Sequence, residues 1–188
     1  MAVDVFSTAT PLAAAQHKAA LWADDSVHVY AVLMGSRIPD LPQRLAEAEL
    51  VDYDCLLPGA LAPELQRSAP YLAKLKPESP FTDWLLFDAT ASLAEWGVLV
   101  RSPARLMTLR NHLRSLLEAQ TPGGHRIKLD WMDPELLQAL LPLFGPSELS
   151  AFFGSTQSLV FTGTQAWQHA ALEQGRLSQI NVPLAQGA

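Results

Sequence analysis

The sequence predicts an α/β protein with a mixed, partly parallel sheet flanked by helices and a small helical lobe at the C-terminus. Two patterns carry this prediction. Apolar runs of strand length alternate with segments of helical periodicity. Residues 27–34 are almost continuously apolar, as in a central strand covered on both faces. With 188 residues, 49% of them hydrophobic, the chain suits one domain with an appended lobe. We expect a flexible N-terminus at 1–10, an α/β domain at 11–145 and a C-terminal helical lobe and tail at 146–188.

Proline and glycine mark the element boundaries in the first half of the chain. Pro11 opens a helix, Gly35 ends the central strand, and Pro58-Gly59 ends a shorter strand. The expected elements are a helix at 10–24, strands at 27–34 and 51–57 (the second at an edge), short helices at 43–48 and from 62, an extended segment at 70–75 and a helix at 81–91.

The second half contains the clearest helix, which follows Ser102-Pro103. Its leucines at 106, 109, 113, 116 and 117 fall on one face. Around it we expect a buried strand at 98–101, a turn at 121–124, a half-buried strand at 126–131, helices from 134 and at 147–153, an apolar run at 159–161, a helix at 165–174 and a mobile tail from 179.

The sequence pattern is clearest at the junction around Asp133-Pro134, where it predicts a strand followed by a helix. Apolar and polar residues alternate from Arg126 to Trp131, which is typical of a strand with one buried face. The Asp133 carboxylate can then cap free backbone N–H groups, while Pro134 at the first helical position loses no hydrogen bond. We therefore expect a structural role for Trp131, Asp133 and Pro134.

The charge distribution is uneven. The chain has a net charge of −6 and a pI of about 5.3, which argues against nucleic-acid or anionic-membrane binding. Residues 101–128, by contrast, contain six basic residues and one acidic residue, a net charge of +5. A solvated helix face explains such a run, and a docking surface for an acidic partner is the alternative. Arg110, Arg114 and Arg126 are the candidate contacts.

Signatures of catalysis, metal binding and membrane insertion are missing from the sequence. There is no Gly-x-Gly-x-x-Gly or Gly-x-Ser-x-Gly motif, and the five histidines are scattered, so we expect neither a cofactor nor a metal. Asp52 and Asp54 share a strand face but suit a solvated edge better than acid–base work. The single cysteine, Cys55, fits a reducing cytoplasm. No signal peptide and no apolar run of membrane-spanning length is present.

Several short motifs in a fixed order resemble a known family. They are the strand at 27–34, Ala69-Pro70-Tyr71-Leu72, Trp96-Gly97-Val98-Leu99-Val100, the helix with Asn111-His112-Leu113, Asp133-Pro134, Leu140-Leu141-Pro142 and Phe152-Phe153-Gly154. Together they are similar to the effector adaptors, or effector chaperones, of bacterial type VI secretion (domain of unknown function 4123).

The resemblance implies a non-enzymatic protein that binds a toxic effector in the cytoplasm and promotes its loading onto a VgrG-type spike. It adds Pro70 and Tyr71 to the structural motif, and Phe152 and Phe153 are candidate apolar contacts for the effector. The family places arginines before its aromatic pair and after Asp-Pro, where this chain has Asp130 and Glu135. A partner contact made by those arginines is therefore in doubt here.

Two other function classes stay open on the residues alone. One is a small-molecule enzyme with dispersed catalytic residues such as His28, Asp133 and Arg126. The other is a ligand-binding regulatory module.

Overall fold

The computed structural model describes residues 7–49, 51–93, 95–120, 126–128 and 131–185. The strands are β1 (Ser7–Thr8), β2 (His28–Met34), β3 (Asp52–Cys55), β4 (Pro70–Lys74), β5 (Gly97–Ser102), β6 (Glu118–Gln120), β7 (Arg126–Lys128), β8 (Ser158–Phe161), β9 (Ala166–Glu173) and β10 (Arg176–Pro183). The helices are α1 (Ala14–Leu21), α2 (Leu41–Glu47), α3 (Pro63–Ser68), α4 (Pro80–Asp83), α5 (Thr90–Ser92), α6 (Leu106–Ser115), α7 (Pro134–Leu140) and α8 (Pro146–Phe153). A π-helical turn, Trp84–Ala89, joins α4 to α5, and a 3-10 turn, Leu141–Leu143, follows α7.

The main sheet has the strand order β1-β10-β9-β8-β5-β2-β4-β3 in the described part of the chain. All neighbours from β10 to β3 run antiparallel, so the prediction of a partly parallel sheet was wrong. Among the residues that the structure describes, parallel pairing is confined to the N-terminal segment, where the two-residue β1 lies along β10 and Leu12 bridges to Leu184. The prediction failed because a strand covered on both faces is typical of parallel sheets, yet here helices cover both faces of an antiparallel one.

The strand β2 lies inside the sheet, between β4 and β5, and contributes side chains to the core on each face of the sheet. Its side chains alternate between the two faces because successive strand residues point in opposite directions. Val29, Ala31 and Leu33 pack under α1, α2 and the helical segment 80–92. Tyr30 and Val32 pack under α6, α7 and α8. Both faces are therefore buried, which confirms the prediction made from the apolar run.

The C-terminal part of the chain completes the sheet, so the predicted helical C-terminal lobe was wrong. The segment 165–174, expected to be a helix, forms β9, and residues 179–183 of the tail expected to be mobile lie in β10. Burial along β9 peaks at Trp167 and Ala170, and the strand pairs on both sides, with β8 and with β10. Cross-strand packing thus overrides the helix propensity of its alanines and leucine.

A two-residue turn joins β9 to β10. Glu173 pairs with Arg176, and both intervening residues have positive φ, 51° at Gln174 and 77° at Gly175. Two left-handed residues in succession are what a type I′ hairpin turn requires. The turn fixes the register of the hairpin, and it places Trp167 on the face that carries α1.

Beyond the main sheet, β6 and β7 form a two-stranded antiparallel ribbon. The backbone of Arg126 lies in this ribbon, while its side chain is outside the described residues. The expected turn at 121–124 and the strand continuation at Leu129 and Asp130 are also outside them. The predicted edge strand agrees with β3, which ends the sheet on the side of β4.

Candidate functional site

A cleft of about 560 Å³ lies where four parts of the fold meet: the end of α5, the start of β5, the first turn of α7 and the end of β8. It brings together parts of two sequence motifs that are far apart in the chain. One is Trp96-Gly97, and the other is Pro134 of the Asp133-Pro134 motif. Its carboxylates come from Glu95 and Glu135. The cleft is therefore the candidate functional site.

Arg37, in the turn after β2, contacts two acidic side chains at the rim of this cleft. Its Nη2 lies 3.3 Å from Oδ2 of Asp133 and 3.6 Å from Oε2 of Glu95. The other oxygen of Asp133, Oδ1, accepts a hydrogen bond of 3.0 Å from the backbone N–H of Leu136, so the carboxylate caps α7. One side chain thus begins the helix and orients the arginine.

The carboxyl group of Glu95, at the cleft, has a raised pKa. Partial burial raises its pKa, and the negative charges of Asp133 and Glu135 add to that effect, while Arg37 opposes it. Glu95 also has a left-handed backbone, with φ 54°, which turns the chain into β5. The cleft therefore has an excess of negative charge that an approaching cation would relieve.

The sequence analysis missed Arg37 and Glu95. Neither belongs to a motif, and their contact joins residues 58 positions apart along the chain. The only signal was the position of Glu95 immediately before Trp96-Gly97.

An aromatic cluster lies behind α7, formed by Trp131, Phe144, Phe152 and Phe153. The Trp131 and Phe152 rings meet edge to face at 5.6 Å, and the Phe144 and Phe152 rings are 5.8 Å apart. Trp131 and Phe153 are buried, and Phe152 is half-buried. Of the two phenylalanines predicted to bind a partner, Phe153 belongs to the core and only Phe152 reaches the surface.

The helices α6 and α8 meet at His112 and the Phe152-Phe153-Gly154 motif. The Nε2 of His112 donates to the carbonyl oxygen of Phe152 at 2.9 Å. A Cβ added at Gly154, where φ is 51°, would lie 2.7 Å from the His112 ring. Glycine is therefore required for this close approach, and two of the motifs form one contact.

Arg110 and Arg114 lie on α6, on the side that faces the edge strand β3. Arg110 forms an ion pair with Asp54. Arg114 donates to the carbonyl oxygens of Cys55 at 2.7 Å, Leu56 at 3.0 Å and Leu57 at 3.2 Å. Both guanidinium groups thus have intramolecular partners, and they hold α6 against the sheet edge. Their role in binding a partner stays a prediction.

Pro70 and Tyr71 open β4 close to the same edge. The carbonyl oxygen of Pro70 accepts from the backbone N–H of Leu56 at 2.8 Å. Tyr71 is buried, and its hydroxyl donates to the carbonyl oxygen of Gln66 at 3.0 Å. Both residues join β4 to neighbouring segments.

His28 and Asp133, two residues of the enzyme alternative, belong to different parts of the fold. His28 begins β2, whereas Asp133 contacts Arg37, which follows the other end of that strand. Burial and the nearby Lys74 lower the pKa of His28. Asp54, the partner of Arg110, is not free for a carboxylate pair with Asp52. In the described residues, no group of three or more His, Cys, Asp or Glu could hold a metal ion.

No helix among the described residues is both long and apolar enough to cross a membrane.

The model of a family described as a domain of unknown function (DUF4123) matches residues 29–151. The match runs from β2 into α8 and includes all the charged residues of the cleft rim. No curated protein and no solved structure matches the chain.

Proposed function

Since the chain belongs to the DUF4123 family, we propose that it is a non-enzymatic adaptor that binds a toxic effector in the cytoplasm and promotes its loading onto the VgrG-type spike of a type VI secretion system. The observation that carries the proposal is the match at residues 29–151. It covers most of the motifs that resemble the type VI effector adaptors.

The physical character of the molecule supports a binding role. An adaptor needs a rigid scaffold, which the sheet with helices on both faces supplies. It also needs a surface whose apolar and charged side chains do not contribute to the stability of the fold and can contact a partner. Leu136 on α7 is 41% exposed and Leu143 in the 3-10 turn after it is 76% exposed, and the first turn of α7 lines the acidic cleft.

The test is a comparison of exported proteins between native cells and cells that lack this chain. We expect deletion to remove one effector from the secreted fraction while secretion of the spike itself continues. Restoring the gene should restore the effector. The purified chain should also form a complex with that effector that survives size-exclusion chromatography.

Unchanged export of every effector in the deletion strain, with the spike still secreted, would refute the proposal. Loss of the spike together with all effectors would also contradict it, because an adaptor for one cargo is not required for assembly of the apparatus.

A further inference from the structure

We propose that the outer face of α7 and the 3-10 turn after it, together with the acidic cleft beside them, is the docking surface for an amphipathic segment of the partner protein whose apolar side chains are flanked by Lys or Arg. We call this surface the α7 face: Leu136, Leu140, Leu143 and Glu135. The inference deepens the proposed function, on which it rests for the partner being the effector.

The leucines of α7 divide into an inner and an outer stripe. Leu137 and Leu141 are fully buried in the core under the sheet. Leu136 and Leu143 are 41% and 76% exposed, and Leu140 is half-buried between them. The spacings of four and three residues place this second stripe along one side of the helical segment. Burial in the core therefore explains only two of these five leucines fully.

Glu135 links this stripe to the cleft. It precedes Leu136, and successive helix residues are rotated by about 100°, so its carboxylate flanks the exposed leucines. It also lines the cleft with Glu95 and Gln138. An apolar stripe with an acidic flank is complementary to an amphipathic helix that presents apolar anchors beside basic residues.

The sequence around α7 contains no residue that would neutralise this flank. From Leu129 to Gly175 there is no Lys or Arg, while Asp130, Asp133, Glu135, Glu148 and Glu173 are acidic. The nearby cation Arg37 already lies within 4 Å of both Asp133 and Glu95. Burial raises the pKa of Glu95, and repulsion from Asp133 and Glu135 raises it further, which agrees with this imbalance. The charge therefore favours a basic partner.

A second copy of the chain is a poorer occupant. In a twofold interface the same patch meets itself, so Glu135 and the acidic cleft of each copy would be brought against those of the other. Like charges at an interface oppose association. An acidic peptide is disfavoured for the same reason.

The experiment uses the full chain and two synthetic helical peptides of 18 residues, both with Leu at helical i, i+3, i+4 and i+7 spacing. One has Lys and the other has Glu at the flanking positions. Fluorescence anisotropy at low salt should give a dissociation constant at least tenfold lower for the Lys peptide. The double variant Leu136→Asp with Leu143→Asp should weaken that binding tenfold or more, and Glu135→Lys should weaken it and reduce its salt dependence.

Leu65→Asp is the matched control, since Leu65 is 48% exposed on a different helix, α3, and does not belong to the α7 face. It should leave peptide binding unchanged. Circular dichroism and thermal melts should show all variants folded. Equal binding of both peptides, or equal losses in the α7-face and α3 variants, would overturn the proposal. Dimerisation in sedimentation velocity that is abolished by Leu143→Asp would assign the face to a second copy and would also overturn it.

The two proposals fail in different ways. If the double leucine variant binds and exports the effector as the native chain does, the α7 face is refuted while the adaptor function stands. If no effector depends on this chain for export but the Lys peptide binds to the α7 face, the adaptor function is refuted while the docking chemistry stands.

Discussion

The guanidinium group of Arg114 lies 2.7 Å from the carbonyl oxygen of Cys55, where the edge strand β3 ends. The same group reaches the next two carbonyl oxygens, and Arg110 one helical turn earlier pairs with Asp54. The basic side of α6 is therefore a clamp on the edge of the sheet. It also supplies hydrogen-bond donors to the backbone carbonyl groups at the end of that strand.

Arg114→Ala should lower the free energy of unfolding by about 2 kcal/mol, because hydrogen bonds from a charged donor are lost and their acceptors are left without partners. Arg114→Lys should recover only part of this, since a single ammonium group cannot reproduce the fork of a guanidinium. Urea denaturation measures both. Arg67→Ala, at an exposed position on α3, should be nearly neutral. An Arg114→Ala protein as stable as this control would contradict the clamp.

Trp131 should be required for its volume rather than for its indole nitrogen. Its Nε1 is buried and has no hydrogen-bond partner among the described residues, while its ring packs against Phe152. Trp131→Ala should cost about 3–5 kcal/mol. Trp131→Phe should cost much less, because it keeps an aromatic ring and removes a buried polar group. Equal thermal shifts for Ala and Phe would show that the N–H has a partner.

Asp133 has two roles that substitutions can separate. Asp133→Asn keeps an acceptor for the N–H of Leu136 and loses the ion pair with the 43% exposed Arg37, so it should cost less than about 1 kcal/mol. Asp133→Ala loses both and should cost about 0.5–2 kcal/mol for the cap alone. Chemical denaturation of both proteins tests the order. Asn as damaging as Ala would mean that the charge matters more than the cap.

Acid should destabilise the contact between α1 and the sheet. Burial, aided by repulsion from His17 and Arg101, lowers the pKa of His169 from 6.5 to about 4, and burial also lowers the pKa of His17. The folded state thus binds fewer protons than the unfolded state between these values. Stability should be complete above pH 6.5 and should fall as the pH approaches 4.

A difference of this size corresponds to at most about 3 kcal/mol, and partial solvent exposure reduces it to about 1–2 kcal/mol. Urea midpoints between pH 7.5 and 4 measure the slope. His169→Gln removes the titrating group, so its slope should be shallower than that of the native chain. Identical slopes would exclude His169 as the source.

The sequence predicted best where a segment is specified locally. The Asp133-Pro134 helix start needs only a carboxylate and a proline in order, and β2 needs only its apolar run. It failed at β9, where alanines favour a helix locally and the strand exists because β8 and β10 pair with it. The turn at Gln174-Gly175 was the available signal, but Gln replaces the usual Asn or Asp of a type I′ turn.

The site was predictable only in part for the same reason. The Asp133-Pro134 and Trp96-Gly97 motifs could be identified in the sequence, and both contribute residues to the lining of the cleft. The charges that surround them, Arg37 and Glu95, come from turns that sequence periodicity does not describe. The sequence has five leucines between positions 136 and 143, but which of them face the core depends on how α7 is placed against the sheet.

The position of β8 has a consequence for synthesis of the chain. β8 lies between β5 and β9, yet it follows β5 by more than fifty residues along the chain and lies beyond the end of the family match at residue 151. While the ribosome is still making the intervening helices, one edge of β5 has no neighbour. A nascent chain that stops at residue 151 would keep that edge open, and open edges recruit other strands. Pairing of β8, β9 and β10 therefore acts as a closing step, before which the family region is at its most vulnerable to aggregation.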